Sequence, residues 1–117
     1  AGPTAGYREQ VYFIEPTSDQ NAICKVALVN DQKQIGCGVS FDTHTLPCLT
    51  VWKNTAAEAD GYVVGLEPGT GFPNTRSVEA KAGRLVNLSA GQSVAFNLRL
   101  APLANASAIQ RYLADID

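Results

Sequence analysis

The chain has 117 residues, of which 45% are hydrophobic and 17% charged, a size and balance that fit one compact globular domain. A net charge of -2 and a pI near 5.3 exclude the basic footprint that nucleic acid or an anionic membrane surface demands. No apolar run reaches the roughly 18 to 20 residues needed to cross a bilayer, and residues 1–10 lack a signal-peptide pattern, so a soluble cytoplasmic protein is expected.

Residues 1–6 are small, polar and broken by Pro3, which predicts a flexible terminus. The first strand is expected over residues 10–15, where Val11, Tyr12, Phe13 and Ile14 run into Pro16. Over residues 22–29, Ile23, Lys25, Ala27 and Val29 alternate with Cys24, Val26 and Leu28. Over residues 35–41, Cys37, Val39 and Phe41 oppose Gly36, Gly38 and Ser40, and the glycines mark a bend or a close approach. These segments read as an antiparallel hairpin or meander.

His44 follows in a polar loop, where a lone histidine without ligand-spaced partners reads as a solvated or capping residue. The segment 48–54 alternates Leu49, Val51 and Lys53 with Thr50, Trp52 and Asn54. An aromatic plane beside hydroxyl and amide groups is the mixture a sugar site uses, although a single tryptophan also serves as core. Residues 61–67 form an apolar run that delivers Glu67 to a loop rich in Gly and Pro. Alternation puts Val63, Gly65 and Glu67 on one face, with Glu67 beside the gap that Gly65 leaves. A solvated carboxylate at a strand end is the plainer alternative.

Arg76, Glu79 and Lys81 then mark either a solvated face or, at Arg76, a clamp for a hydroxyl-rich or anionic ligand. Two last strands are expected over residues 84–88 and 93–100, joined by a turn at Gly91. Only the tail, residues 105–116, reads as helix. Ser107 and Gln110 suggest a capping box, and Ile109, Tyr112, Leu113 and Ile116 form an apolar stripe. The whole predicts an all-β antiparallel sandwich, strands over residues 7–103, with a short C-terminal helix. Cys24, Cys37 and Cys48 are too far apart in sequence for a zinc or redox motif and read as reduced thiols, and no cofactor or metal is called for.

Three blocks in order resemble the C-terminal third of the aldose 1-epimerase (galactose mutarotase) superfamily. They are Leu46-Pro-Cys-Leu-Thr-Val-Trp-Lys-Asn54, Gly65-Leu-Glu-Pro-Gly-Thr-Gly-Phe-Pro-Asn74 and Leu88-Ser-Ala-Gly-Gln-Ser93, and the likeness is greatest to an uncharacterised branch with a Trp-Lys pair before Gly-Leu-Glu-Pro. The resemblance implies a β-supersandwich with a sugar cleft. It also implies that Glu67 is the general base acting on the anomeric hydroxyl while a histidine acid protonates the ring oxygen. Trp52, Lys53, Asn74 and Arg76 are the expected substrate contacts.

Two departures stand out. Glu67-Pro68-Gly69 replaces the Glu-Thr-Gln of typical mutarotases, and the family's histidine motifs would precede everything matched, with His44 at none of their positions. The chain is therefore expected to be a C-terminal portion that pairs with the rest of its protein or with a second copy. A non-catalytic carbohydrate-binding module and a purely structural sandwich are the rival expectations.

Overall fold

The computed structural model describes residues 2–116. In chain order these form β1 (Gln10–Ile14), β2 (Ile23–Val29), β3 (Gly36–Asp42), β4 (Cys48–Asn54), β5 (Val63–Gly69), α1 (Arg76–Lys81), β6 (Leu98–Leu103) and α2 (Ala106–Ala114), with a 3-10 turn at Glu58–Asp60. They divide into two compact units, each built on a three-stranded antiparallel sheet.

The first unit holds the sheet β1-β4-β5 together with α1. Its register aligns Val11, Trp52 and Gly65 in one row and Phe13, Thr50 and Glu67 in another. Side chains directly opposite in an antiparallel ladder share a face, so both rows lie on one side of the sheet. Tyr12, Val51 and Leu66 lie on the other. Burial concentrates on β4 and the segment after it, at Cys48, Leu49, Thr50, Thr55 and Ala56. The strand β5 continues through Pro68, which an edge strand tolerates because the missing N–H need not enter a ladder.

The second unit holds the sheet β2-β3-β6 and α2. One face carries the rows Cys24–Phe41–Leu98 and Val26–Val39–Leu100, and the other carries Lys25–Ser40–Arg99 and Ala27–Gly38–Ala101. The alternation read from β2 and β3 is thus the alternation observed. Gly38 is the close approach anticipated there: the Tyr112 ring of α2 occupies the space a β carbon would need. Ile109, 1% exposed, is the buried anchor of the same helix. The cap of α2 differs from expectation. Asn105, not Ser107, stands at the N-cap, and its Oδ1 accepts a hydrogen bond from the Ala108 amide at 2.9 Å.

Two further expectations are corrected. The tail is not the only helix, since residues 76–81 form α1. Residues 84–88 and 93–97 join no ladder, and the last strand begins only at Leu98. The turn between them does form, with the Gln92 amide donating to the Ser89 carbonyl at 2.9 Å and Gly91 at φ +78°. Its flanks have the apolar alternation of strands but no strand beside them among the described residues. Val86, Leu88, Val94 and Phe96 stay exposed. Alternation specifies a face; only a partner strand supplies the hydrogen bonds that make a ladder.

Candidate functional site

The site is built on the face of the first sheet that carries Trp52, Gly65 and Glu67. Trp52 is half-buried, and its indole N–H donates to Glu9 Oε2 at 2.8 Å, which restrains the ring. Glu67 is exposed, one row along from Trp52, and stands opposite the buried Thr50. The Glu67 carboxylate lies back over Gly65, with Oε1 2.5 Å from where a β carbon would stand, although this exposed side chain could swing aside for one.

The loop after β5 folds over this same face. The Phe72 ring stacks on Phe13 with centroids 4.7 Å apart and planes 11° from parallel, and Phe13 belongs to the row of Glu67. The Arg84 guanidinium sits 5.1 Å from the Phe72 centroid. Arg84 in turn pairs with Glu79 of α1, its Nε donating to Oε2 at 2.7 Å and its Nη2 to Oε1 at 2.8 Å. Two parallel bonds of this kind form the fork that arginine and carboxylate geometry favour.

Glu79 takes two more donors, the Phe72 amide at 3.1 Å and Asn74 Nδ2 at 2.8 Å. It is 5% exposed. The Arg84 hydrogen bonds, then those of Asn74 and Phe72, outweigh the cost of desolvation and lower its pKa to about 2. Gly71 is required here, because a β carbon would stand 2.6 Å from Glu79 Oε2.

The expected contact residues are therefore placed unequally. Glu67 and Trp52 share a face. Lys53 lies on the opposite face, where its Nζ sits 5.4 Å from the Tyr7 ring centroid. Asn74 is exposed on the loop but tied to Glu79, and Arg76 opens α1 with an exposed side chain. His44 belongs to the other unit, exposed, with its Nδ1 3.2 Å from Asp42 Oδ1. Sequence reading missed Glu9, Glu79 and Arg84. The usable signal for Glu79 and Arg84 was the helix-compatible stretch after Asn74-Thr75, with an acid and a base flanking its end and Gly71 in the preceding loop.

The model of a family described as Domain of unknown function (DUF4432) matches residues 1–101. The chain belongs to this family. The DUF4432 match takes in β1 to β5, the Glu67 face and α1, and leaves α2 beyond it. Among solved structures, a candidate aldose 1-epimerase from Klebsiella pneumoniae is similar at a TM-score of 0.94 and 36% identity over 98% of this chain. The chain spans 30% of that protein's length. No curated protein matches. The aldose-epimerase likeness carried by the three sequence blocks thus extends to the fold: antiparallel sheets with a short C-terminal helix, similar to that structure across nearly the whole chain. No helix among the described residues is long and apolar enough to cross a membrane.

Proposed function

We propose that this chain carries the general-base half of a carbohydrate site of the aldose 1-epimerase type. The observation that supports this most is the shared face of Glu67 and Trp52, a carboxylate one row from an aromatic plane. A sugar ring laid on the indole would stack its apolar C–H surface there while its hydroxyls meet the polar rim. Glu67 would take the proton from the anomeric hydroxyl. As an acid elsewhere in the protein protonates the ring oxygen, the bond between that oxygen and the anomeric carbon breaks, and reclosure on the other face of the carbonyl gives the other anomer.

Asn74 and Arg76, on the loop and at the start of α1, would be contacts to sugar hydroxyls. Lys53 would serve only a ligand that reaches the opposite face. The acid and the rest of the cleft would come from outside this chain, which spans 30% of the similar structure's length. The exposed apolar residues 86, 88, 94 and 96 suit pairing with that remainder or with a second copy. Three free cysteines suit a cytoplasmic setting.

The test is anomer interconversion of D-galactose followed by NMR in the intact encoded protein. Glu67→Gln should lower the enzymatic rate by about 100-fold or more, the usual weight of a positioned acid or base. An unchanged rate removes Glu67 from the mechanism. A second reading, a carbohydrate-binding module without catalysis, is favoured by Trp52, whose half-buried aromatic plane can hold a sugar ring without the help of an acid or base. Galactose binding that survives Glu67→Gln, with no interconversion by the unaltered protein, would establish that reading instead.

A further inference from the structure

We propose that Glu79 is a positioning residue that fixes the orientation of the Asn74 carboxamide, so that the loop over the Glu67 face offers a ligand a hydrogen-bond acceptor and not a donor. This rests on the carbohydrate reading for the identity of the ligand, but the orientation itself rests on Glu79 alone.

The argument begins with what a carboxylate can do. At an ionised Glu79 both oxygens only accept, so the end of Asn74 that faces Oε1 at 2.8 Å must be the NH2 group. Asn74 Oδ1 is then turned away from the clasp. Glu79 cannot rotate to release it, because Oε2 is held by the Phe72 amide and Arg84 Nε while Oε1 is shared with Arg84 Nη2. With a pKa of about 2, Glu79 stays ionised at any pH near neutrality, and the orientation persists. The loop itself is fixed over the sheet by Phe72 on Phe13, in the row that contains Glu67. An acceptor held there selects a ligand hydroxyl that donates.

Substitution by glutamine makes the claim sharp. In Glu79→Gln the side chain would offer one oxygen and one NH2 to the four donors. The oxygen stays in the Oε2 position, on the Phe72 amide and Arg84 Nε. The new NH2 faces Arg84 Nη2, which can only donate and must swing away, and Asn74, which can turn, flips to present Oδ1 to that NH2. The outward end of Asn74 would change from acceptor to donor.

The probes are D-galactose and its monodeoxyfluoro analogues, in which fluorine replaces one hydroxyl and cannot donate, titrated by NMR against the intact encoded protein. At one ring position the fluoro analogue should bind about ten-fold more weakly, the cost of leaving a polar acceptor without its donor. In Glu79→Gln, and independently in Asn74→Ala, that penalty should fall to within about two-fold while the other positions keep their values. Asn74 is exposed, so the alanine variant is available even if the first fails to fold. Failure of any fluoro analogue to discriminate, or a penalty retained in a folded Glu79→Gln or in Asn74→Ala, overturns the proposal.

The side-chain NH2 signals of Asn74 provide a reading without sugar. They should move markedly between the unaltered protein and Glu79→Gln; unmoved signals in a folded variant overturn the assignment. If no protein binds galactose yet those signals move, the carbohydrate reading fails and the orientation of Asn74 is upheld.

Discussion

Helix α1 is fastened to its unit through Glu79, a single carboxylate with four donors around it, whereas α2 rests on its own sheet through the Tyr112 ring seated where Gly38 has no side chain. Both helices are short, six and nine residues, and neither length is stable in isolation. The first attachment is electrostatic, directional and dependent on one ionised group. The second is steric and apolar. The difference bears on the proposed site because the clasp fixes the loop whose Phe72 stacks on Phe13, in the row of Glu67, while the one polar group of the docked ring, the Tyr112 hydroxyl, is buried.

The largest effect should come from breaking the apolar attachment. Ile109 is 1% exposed, and Ile109→Ala removes its buried side-chain carbons. A loss of about 2 to 5 kcal/mol is expected in urea denaturation of the intact encoded protein. A loss near zero would mean that α2 is not anchored by this side chain and would remove half of the comparison.

The electrostatic attachment should respond to acid instead. The pKa of Glu79 is lowered from 4.5 to about 2 by the Arg84, Asn74 and Phe72 hydrogen bonds. A depressed carboxylate contributes stability that is fully present above its unfolded pKa and is lost as pH falls through the folded one. The clasp should therefore hold down to about pH 4.5 and weaken progressively toward pH 2. Amide signals of Thr70, Gly71, Phe72 and Asn74 and of α1 should shift in that window. Around the second helix, the Lys25–Asp115 pair at 3.7 Å, half-exposed at Lys25 and open to solvent at Asp115, contributes little, and Asp19, lowered chiefly by the Ile23 amide, affects the turn before β2 rather than the Tyr112 contact. Equal acid sensitivity of the Gly38 and Tyr112 signals would erase the contrast.

How much of this was legible in the chain follows from the same contrast. Period-two alternation placed Trp52 and Glu67 each on a named face of its strand, and it marked Gly38 and Gly65 as close approaches. Register then brought the two strands' faces together, which no local pattern could specify. The clasp was not legible as such: an acid in a charged stretch reads as solvated, and its burial depends on Arg84 and on a loop that returns to it. Residues 84–88 and 93–97 show the converse error. Their alternation is genuine, yet a strand needs a neighbour, and sequence periodicity contains no record of whether one is present. Lys53 entered the contact set with the Trp-Lys pair of the family likeness, although alternation along its own strand already set it on the face opposite Trp52.

The smallest expected effect sharpens the steric side of the comparison. The Tyr112 hydroxyl is buried without a hydrogen-bond partner among the described residues, and burial pushes its pKa up. If the ring acts on Gly38 by shape alone, the hydroxyl contributes only a desolvation cost, and Tyr112→Phe should leave stability unchanged or raise it by up to about 1 kcal/mol. Urea denaturation with the slope held constant measures this directly. A loss of about 1 kcal/mol or more would show that the hydroxyl has a partner in solution, and the docking of α2 would then share the polar character of the Glu79 clasp.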